Sequence, residues 1–253
     1  AATATMIALL REWHRYTPAQ RITRWLMWLA VVAAIVWAVR TIEIIGEFIP
    51  DAPAQMADLL VRMWPPDPAY YPEAVHAALV ETLHIATLGT ILCVFFAVPV
   101  ALLAARNICP YWPLNALAQF ILVASRSVPS LIWAMIFVAM FGPGAVAGVI
   151  AIAIRSIGFF GKLLAEALEA AERAPLEALT AAGAPWGHRM LKGVWPQVQP
   201  AFWGICLFRW DINVRESSVL GLVGAGGIGV GLDDAINFFL WDRVATVLLS
   251  ILA

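Results

Sequence analysis

Charge is scarce in this chain. Only 13% of its 253 residues are Asp, Glu, Lys or Arg, about half the share of an average soluble domain. The net charge of −1 leaves no basic field to attract nucleic acid, so a nucleic-acid partner is excluded. Histidine is rarer still. His14, His76, His84 and His188 are scattered, with no HExxH or other ligand spacing, and a metal site is rejected. Cys93, Cys109 and Cys206 are odd in number, far apart and form no CxxC, so they read as small apolar residues rather than a disulfide framework. The Walker pattern GxxxxGK[ST] is missing, so ATP is not bound here in that way, and an ATP-driven process needs a separate motor subunit. Gly224-Ala-Gly-Gly-Ile-Gly229 has no βαβ context and reads as a tight, close-packed helix exit. No cluster of His, Asp and Ser lies near one interface, as a membrane-embedded enzyme requires.

Apolar residues take the place of the missing charge. They make up 62% of the chain, with 12 Trp and 12 Phe, and mean hydropathy is +0.82. A bilayer is the natural solvent for such a sequence. The pattern predicts an all-α integral membrane protein with six transmembrane helices, at 25–45, 79–105, 114–141 (interrupted at Ser125-Arg-Ser-Val-Pro129), 145–160 with a polar extension to 174, 197–223, and a last run at 235–253. The basic start followed by a long apolar run without a small-residue cleavage site is not a signal peptide. The chain begins at Ala1 and stops at Ala253 inside an apolar run, so further terminal residues are expected. Three parts follow: a cytoplasmic segment 1–24, a first span with its periplasmic connection 25–78, and a core 79–253 with five spans and a loop at 161–195. The connection carries Glu47, Asp51, Asp58, Asp67, Glu73 and a short amphipathic segment near 54–63. Nine Lys and Arg on one side (Arg11, Arg15, Arg21, Arg24, Arg106, Lys162, Arg173, Arg189, Lys192) against Arg62 on the other place the N-terminus in the cytoplasm.

Charges within spans are costly and face a cavity or a partner. Arg126, Arg155, Arg209, Asp211, Arg215 and Glu216 are such residues, with Ser127 and Asn213 beside them. Asp211 and Arg215 are four apart, as are Arg209 and Asn213, so each pair shares a helix face. Arg outnumbers acid four to two in this set, which reads as a polar pathway for an anion; helix-to-helix ion pairing is the competing reading. Glu81 and His84 read as interfacial rather than as a proton relay.

The 161–195 loop holds a short helix predicted over 175–182, with Pro175 at its first position and Gly183 ending it before Pro185-Trp-Gly187. A small helix outside the membrane is a docking element or a plain connector. Glu177-Ala-Leu-Thr-Ala-Ala-Gly183, with Pro196 thirteen residues on, resembles the EAA loop of binding-protein-dependent ABC importer permeases. It departs from that pattern at Leu179, where the family has Ala, and at Gly193, usually aliphatic. A narrower likeness covers 79–253. It runs through Arg126-Ser-Val-Pro129, Gly158-Phe-Phe-Gly-Lys-Leu-Leu-Ala-Glu166, Arg209-Trp-Asp-Ile-Asn-Val-Arg215 and Gly221 to Gly229, and is similar to permeases of phosphonate importers and their phosphite and hypophosphite relatives. Arg155 stands where many phosphonate permeases are expected to carry His.

The resemblance implies a type I importer fold with a cytoplasmic coupling helix that sits in a cleft of the ATPase. It implies that Pro175, Glu177, Ala178, Gly183, Ala184 and Trp186 meet that subunit. The assembly it implies is a permease homodimer, two ATPase subunits that hold the ATP and Mg, and a periplasmic solute-binding protein, working by alternating access. This chain itself holds no cofactor. A methionine or other amino-acid permease of the same superfamily, a membrane-embedded enzyme and a proton-coupled carrier are the alternatives.

Overall fold

The computed structural model describes residues 16–42 and 48–252, and these are helices joined by turns. Arg11 and Arg15 of the basic tail, Glu47, and the stretch 43–47 that closes the first predicted span lie outside the described residues. The chain divides into two compact units, Ala1–Ala57 and Asp58–Ala253, with the boundary inside helix α2 (Phe48–Arg62).

In the first unit, helix α1 (Pro18–Thr41) starts at a capping box. The Gln20 amide donates to Thr17 Oγ1 and the Thr17 amide donates back to Gln20 Oε1 at 3.1 Å. Its 24 residues reach about 36 Å at 1.5 Å each, longer than a hydrocarbon core of about 30 Å. Its side chains are exposed from Ile22 to Ile42, and from Trp25 to Val39 they are apolar on every side, which suits lipid.

The second unit is a bundle. It comprises α3 (His76–Ala104, entered through a π turn at Tyr71–Val75), α4 (Trp112–Ser127), α5 (Ser130–Phe141), α6 (Ala145–Glu169), α7 (Arg173–Ala181), α8 (Trp186–Arg189), α9 (Trp195–Leu220), α10 (Ile228–Asn237) and α11 (Trp241–Leu252). Helix α6 is central and packs on α3, α4, α5 and α9. Lipid supplies no hydrophobic drive between helices, so close backbone approach does the work. The buried face of α3 is accordingly Thr82, Ala86, Gly89, Thr90, Cys93, Ala97, Ala101 and Ala104, a stripe of small residues at helical spacing with Ile85. Cys93 is a buried free thiol within it.

Hydrogen bonds fix both ends of the bundle. At one end Asn115 Nδ2 donates to the Leu103 and Ala104 carbonyls that close α3. Asn107 Nδ2 donates to the Leu168 carbonyl at the close of α6, and the Arg106 amide donates to Glu169 Oε1 at 2.8 Å. The turn at 105–111 and the loop after α6 therefore share one end, as the predicted topology requires. At the other end the glycine run meets the starts of α3 and α6. The Gly144 amide donates to the Gly224 carbonyl at 2.8 Å, and a β-carbon on Gly148 would stand 2.6 Å from the Ala225 carbonyl oxygen. This is the close-packed helix exit expected of the run. Asp67 and Tyr70 belong to the same unit: Thr246 Oγ1 donates to the Asp67 carbonyl, and Arg243 lies over the Tyr70 ring.

Three single helices are long and apolar enough to span a bilayer, at Ala19–Thr41, Tyr71–Ala104 and Ala145–Glu169, and two bent pairs raise the number to as many as five by length and composition. The predicted third span is one of these pairs: α4 and α5 meet at 88° across Val128-Pro129. The fourth is a single helix to Glu169, and the loop helix begins afresh at Arg173 rather than at Pro175. Pro175 still sits in the first turn, where no intrahelical donor is lost. The last run is divided, because α10 ends at Asn237 and Phe239 takes a φ of +57° before α11.

A methyl group on Gly229 would strike the Ser218 carbonyl and the Gly221 backbone, which have no room to retreat. Gly229→Ala is expected to lower stability by about 1–3 kcal/mol or more. Gly187→Ala, with nothing within 4 Å and an ordinary backbone, should leave it unchanged. Thermal unfolding of the two purified variants, followed by tryptophan fluorescence, checks the contrast.

Candidate functional site

Two places in the second unit gather the residues singled out by sequence. The first lies midway along α6 and α9. Arg155 is about 15 Å into α6 at 1.5 Å per residue, far from either helix end. Arg209, Asn213, Glu216 and Ser217 recur on one face of α9 and turn toward α6 and α3. The side chain of Arg209 is 4% exposed, and that of Glu216 19%. Arg209 Nε donates to Ser156 Oγ at 2.9 Å, Ser156 Oγ donates to Asn213 Oδ1 at 3.0 Å, and Asn213 Nδ2 donates to Thr90 Oγ1 at 2.8 Å. One continuous chain of polar groups thus joins α9, α6 and α3. It extends along α9 through Ser217 Oγ, which donates to the Thr82 carbonyl, while Thr82 Oγ1 accepts the Ile228 amide at 2.8 Å.

Arg155 pairs with Glu216 through Nη1 and Oε1, and Arg209 Nη2 stands 3.6 Å from the same oxygen. Both guanidinium groups lie over the Phe159 ring, at 5.5 and 5.2 Å from its centroid, in cation–π range. Arg155, Arg209, Glu216 and Phe159 line a cavity of about 250 Å³ with Phe160, Leu163, Ile205, Phe208 and Ile212. Two cations and one carboxylate face one small space, which can hold an anion.

The other expected pathway residues stand apart. Asp211 and Arg215 pair with each other, as their spacing predicts, but on an exposed face of α9, with side chains 63% and 73% exposed. Arg126 and Ser127 are exposed at the end of α4, where the Ser127 hydroxyl donates only to its own helix at Val123. His84 is exposed and Glu81 half-buried beside Gly226. Ser156, Thr90 and Thr82 were not singled out by sequence: a lone hydroxyl in an apolar helix has no spacing signal. Among the described residues no three His, Cys, Asp or Glu gather as metal ligands.

The second place is the loop 170–194. Helix α7 ends in a Schellman motif: the Ala184 amide donates to the Leu179 carbonyl, the Gly183 amide to the Thr180 carbonyl, and Gly183 adopts a φ of +76°. Pro175, Glu177, Ala178, Gly183 and Trp186 are exposed, and Ala184 is half-buried. Leu176 and Leu179 turn inward instead. A β-carbon on Gly193 would stand 3.2 Å from Leu179 Cδ1 and 3.4 Å from Leu176 Cδ1. The two departures from the resembled pattern therefore meet in space: the larger residue at 179 occupies room that the smaller one at 193 leaves. The loop is tied to α9 by Gln197, whose Oε1 accepts the Glu172 amide and whose Nε2 donates to the Gly193 carbonyl at 2.7 Å.

A bundle of apolar helices with a buried and a half-buried guanidinium at its middle and a short polar helix exposed at one end suits a multi-pass membrane transport subunit. Residues 97–253 match the family described as the binding-protein-dependent transport system inner membrane component, and the chain belongs to that family. It is 42% identical over 198 residues to the phosphite transport system permease protein PtxC of Stutzerimonas stutzeri, covering 78% of this chain and 72% of that one. It is 40% identical over 213 residues to the phosphate-import permease protein PhnE of Mycolicibacterium smegmatis, covering 81% of this chain but only 39% of that one. The fold is that of type I ABC importer permeases. An inward-facing MetNI methionine ABC transporter aligns over 70% of this chain and 88% of that chain, with a TM-score of 0.61 and 22% identity. An amino acid ABC transporter aligns over 73% and 87%, at 0.61 and 18%.

Ser156→Ala removes the acceptor of Arg209 Nε and the donor to Asn213, leaving buried polar atoms unpaired. A loss of about 1–3 kcal/mol is expected, against a few tenths for Ser127→Ala, as read by thermal unfolding. Gly193→Leu overfills the space under α7 and is expected to cost about 1–3 kcal/mol. Leu179→Ala in the same chain should restore most of that loss, so a double-mutant cycle in which the two effects simply add refutes the swap.

Proposed function

We propose that this chain is the permease subunit of an ATP-driven importer of a small phosphorus oxyanion: phosphonate, phosphite or hypophosphite. The observation that carries the substrate class is the pair of guanidinium groups, Arg155 and Arg209, held with one carboxylate in the middle of an apolar bundle. The names of the two relatives, a phosphite transport permease and a phosphate-import permease, point to the same class.

Two copies of the chain form the pathway between them. The exposed Asp211–Arg215 pair lies well inside α9, where hydrocarbon is a costly neighbour, so this face turns to a second copy or to an aqueous route. Two ATPase subunits supply the motor and bind the ATP and Mg, and a periplasmic solute-binding protein delivers the substrate. The chain lies in the bacterial inner membrane with its N-terminus and the 170–194 loop in the cytoplasm, by the excess of Lys and Arg on that side. There α7, with Glu177, Ala178 and Gly183 exposed, docks on the ATPase together with Pro175, Ala184 and Trp186. ATP closes the motor, the paired loops approach each other, and the permease opens outward. Hydrolysis resets it.

Two measurements test this. ATPase activity of the purified complex, with its binding protein present, should rise with methylphosphonate, phosphite or hypophosphite. A response to methionine, with none to those three, overturns the oxyanion reading, and a response to phosphate alone removes phosphonate, phosphite and hypophosphite as substrates. Glu177→Lys reverses a charge on the docking face, and Gly183→Leu adds backbone strain of about 1–2 kcal/mol at its positive φ together with a bulky exposed side chain. Each should cut substrate-stimulated ATPase and uptake at least tenfold while the permease remains folded by thermal unfolding. Normal uptake by both variants removes the docking assignment.

A further inference from the structure

We infer that the cavity between α6 and α9 is an oxyanion site of the permease itself, one that takes its ligand as a monoanion, with Glu216 turning away a second negative charge. This rests on the importer reading for the class of ligand, and the cavity adds the species. Three of its lining residues keep a buried polar atom with no hydrogen-bond partner in the chain: Arg155 Nε, Arg209 Nη2 and Glu216 Oε2. Arg209 is itself more than nine-tenths buried. Buried polar groups are ordinarily satisfied, so three lining residues that each keep an unpaired atom mark a charged cluster that the chain alone does not complete.

Charge gives the species. Two guanidinium groups and one carboxylate leave a net charge of +1 in an apolar surround, and uncompensated buried charge is costly. A monoanion brings the site to neutrality; a dianion overshoots and sets a bare oxygen against the Glu216 carboxylate. The remaining lining is apolar, from Phe160, Leu163, Ile205, Phe208 and Ile212. That wall offers nothing to a further hydroxyl and suits a substituent without hydrogen-bonding groups, the P–H of phosphite or the P–C of a small alkylphosphonate. The volume of about 250 Å³ equals that of about eight waters at roughly 30 Å³ each, and lies below the range of drug-sized pockets. It holds a small tetrahedral anion.

The test uses the permease with its ATPase subunits in nanodiscs, without the binding protein. Binding of radiolabelled methylphosphonate is measured from pH 6 to 9, with sulfate, which carries no proton in this range, as competitor. Wild type should bind, lose affinity as the ligand sheds its last proton, and ignore sulfate. Glu216→Gln presents an N–H in place of a carboxylate oxygen. It should flatten the pH dependence and shift the sulfate-to-methylphosphonate preference at least tenfold toward sulfate. Leu163→Trp narrows the cavity from its apolar side without touching the charges, and should weaken methylphosphonate binding at least tenfold even if Glu216→Gln fails to assemble. No binding by wild type, an E216Q preference and pH profile like those of wild type, or full binding by L163W overturns the site. Binding-protein-dependent ATPase is run on the same preparation. Stimulation by methylphosphonate with no binding to the permease removes the site and keeps the importer reading. Binding with the expected E216Q shift but no stimulation keeps the site and removes that reading.

Discussion

Arg209 carries a charge into the middle of an apolar bundle, and the groups that accept it set where three helices lie. Its Nε reaches Ser156 on α6, Ser156 reaches back to Asn213 on α9, and Asn213 reaches Thr90 on α3. Such bonds need the three backbones close together, which the small residues of α3 and α6 allow. Apolar packing alone would let the helices slide or rotate, since hydrocarbon on one face is as good as on another. The polar chain fixes register and rotation, because a slip of one residue breaks every bond in it.

The same helix joins the two places of interest. The first turn of α9 holds the 170–194 loop through Gln197, and Arg209 lies about 18 Å further along at 1.5 Å per residue. Beyond it, Ser217 and the glycine run lock the far end of α9 to the starts of α3 and α6. One continuous helix therefore links the loop to the cavity. Thr180 and Arg189 hold α7 to the segment that follows it.

Much of this was legible in the sequence, and the remainder has physical reasons. The positions of the first, second and fourth predicted spans followed from hydropathy, the Asp211–Arg215 pair from its spacing, and the shared face of Arg209 and Asn213 from the helical period. The exposed short helix ending at Gly183 followed from Pro and Gly. The 88° bend between α4 and α5 was marked by Pro129, but a proline states that a helix is broken, not through what angle. The split of the last run turns on Phe239 at a positive φ, which no residue preference announces. The partners Ser156, Thr90 and Thr82 were hidden because helices in lipid are apolar all round. Their inward face is marked by small size instead of by polarity, and a serine or threonine in that stripe looks like any other small residue.

Two ion pairs on one helix separate stability from use. Asp211–Arg215 lies on the exposed face of α9 and joins residues four apart, the geometry by which a helix satisfies two long polar side chains locally. Arg155–Glu216, on the other side, joins two helices in a half-buried setting and shares its carboxylate with a third charge that is almost wholly buried. A pair of that kind is poor support for a fold, since well-packed apolar residues of similar volume serve as well or better. The second guanidinium makes matters worse, adding a cation that one carboxylate cannot neutralise. Register gives a reason for Arg209, which heads the polar chain, but none for a second guanidinium beside it with only one carboxylate between them. An anion in the proposed site gives that reason: it would supply the missing negative charge for as long as it is bound and take it away when it leaves.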